Sequence, residues 1–288
     1  MKKTQPTYKR QRFLLAFICQ IDGGIASADL QKLMFLHTMK ENSGFYEFLP
    51  YKSGAYSFQL AKDLDILCKN KYISIEDSQI KTAGEYTQES FYDLNIDKER
   101  GDDLVRKAYR AYPYYTINSE IIPRLFPAEE AQSFFAERQK YKQSGQLLFT
   151  IGYEGKTIEA FFNMLIQNGI NVVCDVRKNP FSRKFGFSKS NLEHIAKTFK
   201  IEYVHIPELG IETAKRNMLE TPEDYDALFF DYAETLPYFE IQLEWIYTLL
   251  RSNTRIALMC YEKDPNMCHR HIVKDYIVKS HGVRSEDL

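Results

Sequence analysis

The sequence has few of the features that mark secreted or membrane proteins. Its five cysteines are an odd number without a disulfide-like framework, and no two of them form a Cys-x-x-Cys pair. No apolar run approaches the length of a membrane span, and the first residues, Met1-Lys-Lys-Thr-Gln-Pro6, lack the apolar core of a signal peptide. These absences predict a cytoplasmic protein with reduced thiols and no contact with a membrane.

An excess of one charge is also missing. The sequence has 38 Lys and Arg against 39 Asp and Glu, which gives a formal net charge of −1. Any contact with nucleic acid must therefore come from a local patch of positive charge. Hydrophobic residues make up 44% of the 288 residues, enough for large cores, and this length favours two domains.

Hydrophobic periodicity predicts three helices and a hairpin in residues 1–95. Apolar residues recur at helical spacing in three segments, the second starting at Ser27, whose hydroxyl is expected to cap it, and the third at 57–70. Two β-like segments then run to Thr82. Three helices followed by a hairpin predict a winged-helix-like domain.

Part of this domain resembles the Panacea-type domains found in antitoxin and phage-defence proteins. The resemblance rests on Leu30-Gln-Lys-Leu-Met-Phe-Leu36 and on 48–58, with Leu60 and Leu64 after them. It implies a regulatory or partner-binding role as readily as DNA binding. The third helix carries two lysines and two aspartates, so its charge leaves both nucleic acid and a protein partner open.

Residues 96–146 are charged and helical in pattern, which is typical of a helical linker. In residues 147–288, short apolar runs alternate with helical patterns, and a capping box at Ser190–Glu193 predicts one helix start. Strands are predicted at 147–151, at 171–176, at 201–206 and in a segment that ends at Cys260. The alternation predicts an α/β domain with a mostly parallel sheet flanked by helices.

Polar side chains follow each of the four predicted strands. Because parallel strands end at the same edge of a sheet, these side chains are expected to form one site there. The candidate residues are Tyr153, Asp175, Arg177, Arg183, His205, Glu208, Cys260, Glu262, His269 and Arg270.

The residue types suggest how such a site would work. Arg177, Arg183 and Arg270 can each offer a planar fork of donors to a phosphate, with Tyr153, His205 and Glu208 as further binding groups. Asp175 and Glu262 are the acid/base candidates, with His269 and Cys260 beside them. Cys260 is expected to support the site without forming a covalent bond, because the neighbouring acids oppose its thiolate.

These roles predict an enzyme that acts on a phosphate-bearing substrate, with nucleic acid or a nucleotide as the preferred class. One alternative is that Asp175, Arg177, Glu262 and Arg270 form ion pairs that organise the loops. Another is a non-enzymatic regulator that binds DNA or a protein partner through its first domain and senses a ligand through its second.

Two common ligand sites are not expected. Gly155-Lys156-Thr157 looks like the end of a phosphate-binding P-loop, but Thr150 stands where that motif needs a glycine. Zinc is not expected because Cys268 and His269 are adjacent, and neighbouring side chains seldom reach one ion. The sequence therefore predicts no metal and no cofactor.

The segments at these strand ends closely resemble the family known as domain of unknown function 488. They are Thr150-Ile-Gly-Tyr153, Asp175-Val-Arg177 with Pro180-Phe-Ser-Arg183, His205–Gly210, and Cys260–Glu262 with Asp264-Pro265 and Cys268-His-Arg270. The resemblance extends from Leu147 to about Ser280. It implies an α/β fold and a cytoplasmic prokaryotic protein, without a settled reaction.

Overall fold

The computed structural model divides the chain into two compact units, Met1–Gln139 and Lys140–Leu288. The segment predicted as a linker, 96–146, thus lies in the first unit up to Gln139. The described residues are 5–84, 94, 96–216, 219 and 221–288. Within those ranges, no helix has both the length and the apolar character needed to cross a membrane.

The first unit combines short helices with two small antiparallel sheets. Its α-helices are α1 (Lys9–Cys19), α2 (Ser27–Glu41), α3 (Phe58–Lys69), α4 (Gly101–Ala111), α5 (Ile122–Leu125) and α6 (Ala128–Gln139). Its strands are β1 (Ile25–Ala26), β2 (Leu49–Tyr51), β3 (Gly54–Tyr56), β4 (Ile73–Glu76) and β5 (Gln79–Thr82). One sheet has the order β1-β5-β4, and β2 pairs with β3 as a hairpin.

The starts of α2 and α3 differ in their caps. Ser57 precedes α3, and its hydroxyl accepts a hydrogen bond from the Leu60 backbone N–H at 3.2 Å. Ser27 is already the first residue of α2, and its hydroxyl donates to the Ser78 carbonyl oxygen at 3.2 Å. The predicted cap at Ser27 is therefore wrong, because the pairing of β1 with β5 holds this residue against the β4–β5 turn.

Asp63 is a fully buried carboxylate in the first unit. Arg10 donates to both of its oxygens, Gln11 donates to Oδ1 at 2.9 Å, and the Tyr46 hydroxyl donates to Oδ2 at 3.0 Å. A buried charge is tolerated when it is paired and hydrogen-bonded, and Asp63 meets both conditions. This network fixes α3 against α1.

Lys32 on α2 is a buried lysine. Its side chain is 3% exposed, and its ammonium donates to the Ala55 carbonyl oxygen at 2.8 Å. Burial lowers the pKa of Lys32 to about 8, although Asp29 acts in the opposite direction. Residue type alone predicts exposure here, because lysines are almost never fully buried without a charge partner.

The second unit is an α/β domain, as the sequence predicts. Its strands are β6 (Leu147–Gly152), β7 (Val172–Asp175), β8 (Glu202–His205), β9 (Arg255–Cys260) and β10 (Ser285–Asp287). Its helices are α7 (Ile158–Gln167), α8 (Lys189–Thr198), α9 (Thr213–Arg216), α10 (Pro222–Thr235), α11 (Glu240–Asn253) and α12 (Arg270–His281). The five strands form one sheet in the order β10-β6-β9-β7-β8, and every pair is parallel.

Helices cover both faces of this sheet. Every residue of β6, β7 and β9 is buried, so neither face of the central strands meets solvent. On one face, Cys174, Leu258 and Cys260 pack with apolar residues of α10, α11 and α12. Helix α8 begins at Lys189 after Ser188, so the predicted capping box at Ser190 is wrong and Ser190 lies inside the first turn.

Candidate functional site at the strand ends

The ends of four parallel strands lie level at one edge of the sheet. Gly152 at the end of β6 is paired with Cys260 at the end of β9. Asp175 at the end of β7 is paired with His205 on one side and with Met259 on the other. The register therefore brings the loops after β6, β7, β8 and β9 to the same edge.

Asp175 is a fully buried carboxylate whose two oxygens are both engaged. Arg177 donates to Oδ1 from Nε at 2.8 Å and to Oδ2 from a terminal nitrogen at 2.5 Å. The Tyr203 hydroxyl donates to Oδ2 at 2.5 Å. Burial and the Asp175 charge raise the pKa of Tyr203, so this hydroxyl stays protonated and keeps donating. Asp175 is held as a structural anchor for Arg177.

The Arg177 guanidinium has no donor left for a ligand. Its remaining N–H groups donate to the Tyr153 hydroxyl at 2.9 Å, to the Phe187 carbonyl at 3.0 Å and to the Pro180 carbonyl at 3.4 Å. Although burial disfavours its charge, Asp175 holds the pKa of Arg177 above its ordinary value. These contacts fold the loop after β7 onto Tyr153, whose ring stacks on Phe187 with centroids 4.3 Å apart.

Arg270 is also fully buried and joins three segments. Its Nε donates to the Thr150 hydroxyl at 3.2 Å, and its terminal nitrogens donate to the carbonyl oxygens of Glu262 at 2.6 Å and Lys263 at 3.2 Å. Thr150 in turn donates to Asp287 on β10 at 2.7 Å. Arg270 therefore ties the loop after β9 to the sheet, and its burial keeps it from direct contact with a ligand.

Two histidines hold the backbone that follows β7. His205 Nε2 lies 2.9 Å from the Arg177 carbonyl oxygen, and His269 Nε2 lies 2.9 Å from the Val176 carbonyl oxygen. A carbonyl oxygen can only accept, so Nε2 must carry the proton in both rings. In the neutral form of each ring, Nδ1 is then an acceptor.

The His269 Nδ1 atom faces two buried thiols. It lies 3.8 Å from Cys260 Sγ and 4.0 Å from Cys268 Sγ. The Cys260 thiol donates to Glu262 Oε2 at 3.3 Å. Burial raises the pKa of the Cys268 thiol well above its ordinary value. The ligand atoms of the adjacent residues Cys268 and His269 thus lie close together with Cys260 Sγ, although neighbouring side chains seldom reach one ion.

Three lysines meet at the end of β6. Lys156 donates to the Gly152 carbonyl oxygen at 2.9 Å, and Lys184 donates to the neighbouring Tyr153 carbonyl oxygen at 3.0 Å. Burial lowers the pKa of Lys156, and the positive charges of Arg270, Lys263 and Lys184 lower it further. Lys156, Lys184 and Lys263 are called the lysine cluster below. No motif and no residue spacing in the sequence predicts that these three lysines lie close together.

Gly152 allows the loop after β9 to approach β6. A Cβ atom at this position would lie 1.8 Å from the Glu262 carbonyl oxygen, which is far inside van der Waals contact. Glycine is therefore required here for reasons of space. The close approach brings Lys263 beside the loop after β6, where its backbone N–H donates to Glu154 Oε2 at 2.9 Å.

Two of the predicted site residues take no part in the hydrogen-bond networks at the strand ends. Arg183 and Glu208 are exposed, and their side chains make no hydrogen bond or ion pair with the described part of the chain. The structure connects the other eight, either directly or through a backbone carbonyl. Arg183 lies in the loop after β7, one residue before Lys184, so it stays available to a ligand.

The fold and this edge define the second unit as a parallel α/β domain with a polar strand-end site. Residues 157–277 match the protein-family model described as Domain of unknown function DUF488. This match confirms the resemblance predicted for the C-terminal domain, and the matched residues all lie in the second unit. No curated protein and no solved structure matches the chain.

Proposed function

We propose that the strand-end edge of the second unit binds a phosphate-bearing substrate, with nucleic acid or a nucleotide as the expected class. The lysine cluster carries this proposal. Two of its ammonium groups are held on the consecutive carbonyl oxygens of Gly152 and Tyr153, so they are fixed close together before any ligand arrives. Glu154 offsets part of the positive charge. Fixed ammonium groups in excess over carboxylates favour phosphate oxygens.

Exposed aromatic rings beside the cluster support the choice of a nucleotide-like substrate. Phe181 is 70% exposed and Tyr261 is 45% exposed, although both lie in loops that are otherwise pinned by buried arginines. Tyr261 packs edge-on against Tyr153 with ring centroids 5.3 Å apart, which orients it. Aromatic side chains next to positive charge are typical of sites that stack bases.

Glu262 is the acid/base group of this proposal. It is half-buried, it accepts a hydrogen bond from the Cys260 thiol, and the next residue in its loop is Lys263. Asp175 and Arg177 act as positioning residues, because each is saturated by internal contacts. Arg183 and His205 remain the predicted binding groups that a ligand can reach.

Binding is tested with a fluorescently labelled single-stranded oligonucleotide and fluorescence anisotropy. Lys156→Ala and Lys184→Ala are each expected to weaken binding about tenfold, since each removes a charge contact of about 1.4 kcal/mol. Lys189→Ala is the matched control, because this exposed lysine of the same unit lies on α8 and pairs with Glu193. Equal affinity of all three variants and the wild type would remove the basis of the proposal.

Turnover is tested separately with Glu262→Gln. The expected result is oligonucleotide binding near that of the wild type together with loss of any product formed from the same oligonucleotide. If binding persists in the wild type and no product forms, the site is a sensor and the enzymatic part of the proposal is wrong.

We also propose that the first unit is a winged-helix module with a regulatory role. The order α1, β1, α2, α3, β4, β5, with the β2–β3 hairpin between α2 and α3, and the pairing of β1 with β5 support this proposal. On α3, Lys62, Asp65 and Lys69 are exposed, so the helix carries little net positive charge. This balance favours a protein partner over DNA. A steep dependence of duplex binding on salt would reverse that preference.

A further inference from the structure

We propose that Cys260, Cys268 and His269 bind a zinc ion. Sγ of both cysteines and one ring nitrogen of His269 all lie within 4.8 Å of one another, and all three residues are buried. Two thiols and an imidazole are ligands that zinc prefers. This inference does not rest on the proposed function, although Cys260 contacts Glu262, the acid/base group of that proposal.

The distances are close to those of a tetrahedral zinc site. Around zinc, sulfur and nitrogen ligands lie roughly 3.5 Å apart, given metal–ligand bonds of about 2.3 and 2.0 Å. In this chain His269 Nδ1 lies 3.8 Å from Cys260 Sγ and 4.0 Å from Cys268 Sγ. The two nitrogen–sulfur pairs therefore need to close by only a few tenths of an ångström, and the two sulfur atoms already lie within 4.8 Å of each other.

His269 has the orientation expected of a zinc ligand. Its Nε2–H donates to the Val176 carbonyl oxygen at 2.9 Å, and this leaves the Nδ1 lone pair directed toward the two sulfur atoms. Metal-binding histidines almost always donate their second ring N–H to a carboxylate or a backbone carbonyl in this way. The Val176 carbonyl is held in turn at the end of β7.

The backbone explains how two adjacent residues reach one ion. Cys268 is extended, with φ −141° and ψ 133°, whereas His269 is helical, with φ −56° and ψ −17°. In a continuous strand, neighbouring side chains point to opposite sides. The change of conformation at the start of α12 turns both side chains toward Cys260.

The ion would close the loop between β9 and α12. Cys260 ends β9, Cys268 and His269 precede α12, and Glu262 Oε2 lies 3.3 Å from Cys260 Sγ as an adjacent oxygen donor for a fourth position. The same loop carries Lys263 of the lysine cluster. Zinc would therefore order this loop, as structural zinc sites do.

The proposal is tested on the full chain purified without chelator. Elemental analysis is expected to find about one zinc ion per chain, and cobalt substitution is expected to give the thiolate-to-cobalt charge-transfer band of a tetrahedral site. Cys260→Ser and Cys268→Ser should each lose the band and most of the zinc. Cys68→Ser, which removes a thiol of the first unit, should keep both. The zinc content of Glu262→Gln is measured alongside, so that a loss of turnover is not confused with a loss of metal.

Three results would overturn the proposal. One is a wild-type chain that holds no zinc after dialysis against zinc salt and shows no cobalt–thiolate band. Another is metal retention in the double variant Cys260→Ser/Cys268→Ser. The third is a Cys260–Cys268 disulfide in the native protein by mass spectrometry. If the cysteine variants do not fold, the wild type and Cys68→Ser still decide, because the cobalt band needs no variant. Lys156→Ala should keep its zinc, which separates this proposal from phosphate binding.

Discussion

Each unit of the chain buries one aspartate that is saturated by an arginine and a tyrosine, and the two networks differ in what surrounds them. Asp63 accepts hydrogen bonds from Arg10, Gln11 and Tyr46 inside a core of helices. Asp175 accepts hydrogen bonds from Arg177 and Tyr203 at the ends of parallel strands. The two carboxylates themselves are equivalent in burial and saturation, so a buried ion pair does not by itself mark a functional site.

What distinguishes the second network is the set of groups next to it. Beside Asp175 lie two histidines bound to backbone carbonyls, a pair of thiols and the lysine cluster. The lysine cluster brings positive charge to that edge, and Glu154 offsets only part of it. A candidate site is therefore better recognised by excess charge held in fixed positions than by a saturated ion pair.

The largest expected effect comes from breaking these two ion pairs. Asp175→Asn should destabilise the second unit by about 3–5 kcal/mol, because it leaves the buried Arg177 without its charge partner. Asp63→Asn should destabilise the first unit by less, because its partner Arg10 is only partly buried. Hydrogen exchange should accelerate in α1 and α3 for Asp63→Asn and in β7 and β8 for Asp175→Asn. Urea unfolding gives the free energies.

Glu208→Gln is the matched control for Asp175→Asn. Glu208 is exposed and its side chain makes no hydrogen bond or ion pair with the described part of the chain, so the change should stay within about 0.5 kcal/mol. If Asp175→Asn unfolds at the same urea concentration as this control but loses oligonucleotide binding, Asp175 belongs to the chemistry of the site and its structural assignment is wrong.

The sequence predicts the central strands well and the edge strand poorly. The buried runs of β6, β7 and β9 are continuous and apolar, and the four strands they form with β8 are found within about one residue of their predicted ends. Strand β10 is missed because Ser285-Glu-Asp287 is short and polar. Its position beside β6 depends on pairing across the sheet, which no local pattern encodes.

The sequence identifies the strand-end residues but not how they are used. Arg177 and Arg270 look like phosphate ligands by residue type. In the folded chain, however, their N–H groups donate hydrogen bonds to carbonyl and hydroxyl oxygens. Lys184 is 31 residues from Tyr153, whose carbonyl it binds, so their contact is not visible in spacing. The convergence of Cys268 with His269 depends on backbone angles at one helix start.

Replacing Lys32 in the first unit is expected to raise the free energy of unfolding, by less than the loss expected from breaking the buried ion pair of Asp175. The drop in pKa from 10.5 to about 8 corresponds to a penalty of about 3 kcal/mol for burying the charge. Lys32→Met also loses the hydrogen bond to Ala55, worth about 1 kcal/mol, so a net gain of about 2 kcal/mol is expected at neutral pH. Lys69→Met, at an exposed position of α3, is the control.

The pH dependence sharpens this test. The unfolded chain holds the Lys32 proton up to its ordinary pKa of 10.5, whereas the folded chain releases it near 8. Between these values the unfolded state binds more protons, so wild-type stability should rise with pH. Below pH 8 the penalty is constant. The same slope in Lys32→Met as in the wild type would show that Lys32 is not the source.

Comparable or smaller effects are expected at two of the helix caps, one in each unit. Ser57 accepts from Leu60 N–H at the start of α3, and Thr157 accepts from Ala160 N–H at the start of α7. Ser57 is fully buried, whereas Thr157 is exposed and water can replace its oxygen. Ser57→Ala is therefore expected to cost about 2 kcal/mol and Thr157→Ala about 0.5–1 kcal/mol in urea unfolding.

Glycine variants separate capping from other losses at these positions. A cap position tolerates glycine within a few tenths of a kcal/mol of serine or threonine, because the flexible residue lets water reach the free N–H groups. Thr157→Gly should therefore be more stable than Thr157→Ala, since water has access there. At Ser57 the glycine variant should gain little over alanine, because burial excludes that water. The opposite order at the two positions would mean that burial does not set the strength of these caps.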